Sequence, residues 1–129
     1  MNIHHIGIWV GDLDKLKDFY ESYFSVTCNE KYFNPRTGFS SYILSFNGGS
    51  KVEIMNRSDI RELSGNSMEE FMGWAHIAIS LGSREKVKEL TERFRIDGYV
   101  IAGEPRVTGD GFFESVVLDP EGNRIELTE

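Results

Sequence analysis

Cysteine is nearly absent from this chain of 129 residues: there is one, Cys28, which excludes an internal disulfide and fits a reducing cytoplasm. Nothing beside it in SVTCNEK supplies a base, so it reads as a small, partly buried residue and not as a nucleophile. Long apolar runs are absent too, which excludes a membrane span. The first residues, MNIHHIGIWVGD, lack a basic region followed by a long apolar stretch, so no export signal is expected. Basic residues are outnumbered, 14 Lys and Arg against 21 Asp and Glu, for a formal net charge of −7. Phosphate contact needs a basic surface, so nucleic acid is not the expected partner.

Histidine is equally scarce, with three in all, and two of them interrupt strand-like segments: HHIGIWV (4–10) and WAHIAIS (74–80). Setting His5 against His76, a shift of 71 residues, lays HIGI over HIAI. The match continues. GDLDKLKDFYESYF places Leu16, Phe19 and Tyr23 on one helical face, and SREKVKELTERF places Val87, Leu90 and Phe94 on the same template. Asp12 and Ser83 stand at N-cap positions, and Gly98 follows the second helix as a stop. Further on the shift grows by two residues, so that GSKVEIM overlies GNRIELT, and the loops NPRTGF and PRVTGDGFF are the expected place for the insertion. Strands are predicted over EKYF, SSYILSF and KVEIM in the first half, and over YVIAGEP, FFESVVLD and NRIELT in the second. The fold class is therefore α+β, a duplicated βαβββ module: module one 1–55, a linker 56–73 with one helical turn, and module two 74–129.

Strand side chains alternate between faces, so parity decides which of them meet. Ile6, Ile8 and Val10 share one face of the first strand, leaving His5, Gly7 and Trp9 on the other. Ile77, Ile79 and Leu81 likewise leave His76 on the opposite face. Val52 and Ile54 isolate Glu53, and Ile125 and Leu127 isolate Glu126, in the same way. If the aliphatic faces take the helices, each module presents one His and one Glu on the far side. Two imidazoles and two carboxylates suit one divalent transition metal with positions left for water or substrate. His4 has the wrong parity and is read as a surface or core residue.

These residues resemble the vicinal oxygen chelate superfamily, the glyoxalase, bleomycin-resistance and dioxygenase family, with His5 in HHIGIWV, Glu53 in KVEIM, His76 in GWAHIAIS and Glu126 in DPEGNRIELT. Their His/Glu/His/Glu order is most similar to glyoxalase I, the lactoylglutathione lyase. The resemblance implies a single glyoxalase-like domain over the whole chain, a curved mixed-sheet half-barrel with the helices on its outer face. It also implies a homodimer whose sites are shared between chains, modules pairing within or between them. The implied cofactor is one divalent ion per site, nickel or zinc, with cobalt or manganese as alternatives, held by His5, Glu53, His76 and Glu126. The implied reaction converts the hemithioacetal of methylglyoxal or a related 2-oxoaldehyde through an enediolate, with Glu53 and Glu126 as acid and base. Many glyoxalase I enzymes carry Arg four residues after the first His and Asn four after the first Glu; this chain has Trp9 and Arg57 there, which leaves the thiol open. Trp9 and Phe113 are expected to line an apolar pocket, and Arg57 and Arg106 to contact substrate, Arg36 and Arg106 sitting in corresponding loops. A fosfomycin-resistance-type metalloenzyme and a non-catalytic small-molecule binding protein of the bleomycin-resistance type are the alternatives.

Overall fold

The computed structural model describes residues 3–61 and 74–129. Most of the expected linker, and the helical turn anticipated in it, lies outside the described residues. The chain divides into two compact units, Met1–Ser64 and Gly65–Glu129. Each is a mixed sheet, not closed, with one helix packed on one face, so the α+β class stands. Among the described residues no helix is long and apolar enough to cross a membrane.

The first unit comprises β1 (Ile6–Trp9), α1 (Leu13–Tyr23), β2 (Val26–Cys28), β3 (Tyr32–Asn34), β4 (Phe39–Phe46) and β5 (Lys51–Asn56). Its strand order is β1-β5-β4-β2, with β3 also paired to β4. Strand β2 was not expected from the sequence. With β3 it forms one interrupted edge: β2 pairs with Leu44–Phe46 and β3 with Phe39–Ser41. Asn29 spans the interruption, its Oδ1 accepting the Ile43 amide at 2.6 Å. Three residues, VTC, are too short a run to show a period of two.

The second unit comprises β6 (Ile77–Ser80), α2 (Arg84–Ile96), β7 (Ile101–Val107), β8 (Phe113–Leu118) and β9 (Arg124–Thr128), in the order β6-β9-β8-β7. Strand β7 is one edge of this sheet, the kind of position where a proline such as Pro105 is tolerated. Its register against β8 slips between Ile101 and Gly103 and again between Gly103 and Arg106.

Local chemistry sets the helix ends. Asp12 accepts the Lys15 amide at 3.0 Å and Ser83 the Lys86 amide at 3.3 Å, which satisfies a donor that each helix start would leave unpaired. Gly98 takes φ 85°, and the amides of Gly98 and Tyr99 return to the carbonyls of Arg95 and Phe94. That is a Schellman stop, closed by the Phe94–Tyr99 ring contact at 5.6 Å. The buried stripes are Leu13, Leu16, Phe19 and Tyr20 on α1, and Val87, Thr91 and Phe94 on α2. Expected Tyr23 and Leu90 lie beside these stripes, half-buried. Thr91 is buried although polar, because its hydroxyl is satisfied by the Val87 carbonyl and the Ser115 hydroxyl, each at 2.6 Å.

The two added residues are not in the hairpin loops. Helix α2 has 13 residues and α1 has 11. Arg106 consequently lies in β7 and not in a loop, and it matches Tyr32, not Arg36: Tyr32 pairs with Ser41 as Arg106 pairs with Glu114.

Between β8 and β9 the chain turns on Asp119, which is 4% exposed. Its carboxylate accepts the amides of Glu121 and Asn123, both at 2.9 Å, and the Asn123 side-chain N–H at 2.8 Å. These bonds hold the turn that sets the β8/β9 register and hence the position of Glu126. Asp119→Ala strands those donors, and the expected loss is about 1–3 kcal/mol. A urea midpoint lowered at constant m-value checks it.

Candidate functional site

In both units the first strand lies parallel to the last. Gly7 pairs with Glu53 in β1/β5, and Ala78 with Glu126 in β6/β9. The side-chain faces follow the expected alternation: Val52 and Ile54 are buried against α1, and Ile125 and Leu127 against α2, each at most 4% exposed. Glu53 and Glu126 therefore occupy the other face of their sheets. Each histidine stands two residues before the small residue opposite its glutamate. With no side chain on Gly7 and only a methyl on Ala78, the carboxylate is free to lean along the strand toward the imidazole.

That diagonal closes in both units. His5 Nε2 lies 3.4 Å from Glu53 Oε2, and His76 Nε2 lies 3.1 Å from Glu126 Oε2. Two donors about 2.1 Å from a common cation sit about 3.0 Å apart at a right angle and about 3.4 Å apart at the tetrahedral angle. Each pair matches two adjacent ligands of a metal ion, so its donors suit a divalent cation. Among the described residues no three His, Cys, Asp or Glu side chains form a single metal-holding group; each unit supplies two donors. Burial pushes the Glu126 carboxyl above its ordinary range, against the pull of His76 and with Glu114 adding to the rise. A partly desolvated carboxylate gains from a positive charge beside it.

His4, set aside on parity, contacts His5. Its Nδ1 lies 2.9 Å from Nδ1 of His5, which leaves the His5 Nε2 turned to Glu53. The partner of one ring nitrogen sets what the other can do. Adjacent histidines in sequence were the only signal for this contact.

The expected substrate residues separate. Trp9 and Arg57 come together, the guanidinium carbon 5.5 Å from the indole centroid, while Arg57 also pairs with Asp59. Arg106 pairs with Glu114 at 3.4 Å, and both share the face of Glu126. Phe113 does not join them. It lies on the α2 side of its sheet, 7% exposed, with Arg84 and Lys88 over its ring at 5.2 and 5.5 Å. Both faces of FFESVVLD mix apolar and polar residues, Phe112, Glu114 and Val116 on one and Phe113, Ser115 and Val117 on the other, so parity alone did not decide which way Phe113 points. Tyr32, Phe39 and Met55, on the Glu53 face, were not singled out in the sequence.

The family model for the Glyoxalase/Bleomycin resistance protein/Dioxygenase superfamily matches residues 2–127. An uncharacterised protein of Bacillus subtilis, YwkD, is 31% identical over 129 residues, 99% of this chain and 96% of that protein. A lactoylglutathione lyase of Arabidopsis thaliana is 29% identical over 126 residues, 97% of this chain and 43% of the plant protein. The chain thus spans less than half of that relative. In three dimensions a glyoxalase family protein of Enterococcus faecalis superposes with a TM-score of 0.78 at 22% identity, over 99% of this chain and 97% of that one. The trypanothione-dependent glyoxalase I of Leishmania major gives the same TM-score at 25% identity, over 100% of this chain and 86% of the other. The chain belongs to the Glyoxalase/Bleomycin resistance protein/Dioxygenase superfamily.

Proposed function

We propose that the protein is a metal-dependent lyase or isomerase of the glyoxalase I type, acting on the hemithioacetal of methylglyoxal or a related 2-oxoaldehyde. The observation that carries this reading is the duplicated His–Glu pair. His5 with Glu53 and His76 with Glu126 sit at equivalent places in two units, at separations suited to adjacent metal ligands. In this reading all four hold one divalent ion, nickel or zinc in first place and cobalt or manganese after them. A homodimer with shared sites is the expected assembly.

Bound there, the ion supplies Lewis-acid stabilisation of the charge that develops on the substrate oxygens. The chain's own residues move the proton. One glutamate takes it from the carbon bearing sulfur, and the neighbouring carbon receives it back, so that a hemithioacetal becomes a lactate thioester with no net gain or loss of atoms. Glu126 is our choice of base, its carboxylate standing 3.1 Å from His76 Nε2 on the open face of β9. Glu53 then serves the second oxygen or the return of the proton.

The test is thioester absorbance with methylglyoxal and a panel of thiols, glutathione among them, on protein purified without chelator. Thioester formation dependent on the bound ion is the expected result. No thioester with any thiol, from protein that holds its metal, removes the lyase reading.

A further inference from the structure

The two His–Glu pairs are equivalent in register and differ in what stands beside each imidazole. His4 precedes His5, while the residue at the same position of the second unit is Ala75, which has no side-chain nitrogen. The rings of His4 and His5 meet nearly at right angles, with planes at 81°, centroids 5.2 Å apart and Nδ1 atoms 2.9 Å apart. Two ring nitrogens at that distance share one hydrogen, so one ring donates and the other accepts.

The opposite nitrogen tells which ring donates. An imidazole N–H bonds a carboxylate oxygen at about 2.7–3.2 Å. His76 Nε2 lies within that range of Glu126, at 3.1 Å, whereas His5 Nε2 lies outside it, 3.4 Å from Glu53. His76 therefore keeps its proton on the nitrogen that faces its carboxylate. The shorter contact of His5 is at Nδ1. A proton there, donated to His4, leaves a lone pair on Nε2, and a lone pair facing the Glu53 carboxylate holds the two atoms apart. Both tautomers are neutral and differ only in which nitrogen keeps the lone pair, through which alone a metal is bound.

We propose that His4 is a positioning residue: by accepting the Nδ1 proton of His5 it holds that ring in the tautomer whose Nε2 is ready to ligate. His76 has no such partner and must first move its proton from Nε2 to Nδ1. The proposal rests on the metal reading of the His–Glu pairs and not on the choice of substrate. His4 is not itself a ligand in this arrangement, since among the described residues no third donor gathers around the two Nδ1 atoms.

Nitrogen-15 NMR of the metal-free whole chain, at about pH 8.5 where imidazoles are ordinarily neutral, reads which nitrogen carries each ring proton. His5 is expected to hold its proton on Nδ1, and His76 on Nε2. His4→Phe keeps a ring and removes the acceptor. In that variant His5 is expected to take its proton on Nε2, and zinc affinity, measured by competition with a chelating dye, to fall about tenfold. His4→Asn returns an acceptor oxygen close to the place of Nδ1 and is expected to restore both. His4 is exposed, so both variants are expected to melt with the parent. A parent His5 protonated on Nε2, or a tautomer that His4→Phe leaves unchanged, overturns the proposal. So does an affinity lost in His4→Phe and not regained in His4→Asn, which marks a loss of packing, or a His4 Nδ1 signal that zinc shifts as it shifts a ligand. Zinc bound by a chain with the wrong His5 tautomer removes the role of His4 and leaves the lyase reading standing. The expected tautomers in a chain that binds no zinc remove the metal reading and this proposal together.

Discussion

Glu126→Gln is expected to lower kcat/KM for the hemithioacetal by about two to four orders of magnitude while the protein stays folded. Glutamine keeps the shape of the side chain and removes its charge and its ability to take a proton. The site tolerates the change because Glu126 lies on the half-exposed face of β9, and the buried side of that strand is carried by Ile125 and Leu127. Circular dichroism and the melting temperature check the fold, and metal content checks that the ion is retained. A folded, metal-loaded variant turning over at the parent rate removes Glu126 from the proton transfer. Glu53→Gln, measured beside it, decides the division of labour: the larger loss in kcat marks the base.

Removal of the metal is expected to abolish turnover and to lower the melting temperature, with both restored by nickel, zinc, cobalt or manganese. An ion that binds only the folded chain stabilises it by RT ln(1 + [L]/Kd), about 2.7 kcal/mol at a hundredfold excess over Kd. Imidazole and carboxylate bind a metal only when deprotonated, so affinity is expected to fall as the pH is lowered. His5→Ala and His76→Ala are expected to weaken binding similarly, because the two pairs are equivalent. Full activity in protein stripped of metal, or loss of affinity in only one of the two variants, overturns the four-ligand arrangement.

How much of this was legible depends on the range of the interaction. The duplication, both helices with their N-caps, the Gly98 stop and the parity of His5, Glu53, His76 and Glu126 are local in the chain, and the described structure has them where the sequence placed them. Strand β2 was missed because an edge split by Asn29 leaves fragments too short to show alternation. Arg106 was put in a loop because the added residues were assigned to the hairpins, whereas α2 had taken them. Phe113 was put with the substrate because either face of its strand suited an apolar ring.

By itself the sequence determined which residues share a face and that the two halves repeat, since side-chain direction follows from position along a strand or helix. Only the tertiary structure decided which of them touch. It brought His5 within 3.4 Å of Glu53, laid Phe39 and Tyr32 in line with Trp9, and turned Phe113 under α2. The reason is that cross-strand register is set by hydrogen bonds between segments tens of residues apart, and a shift of one residue there exchanges every side chain between the faces.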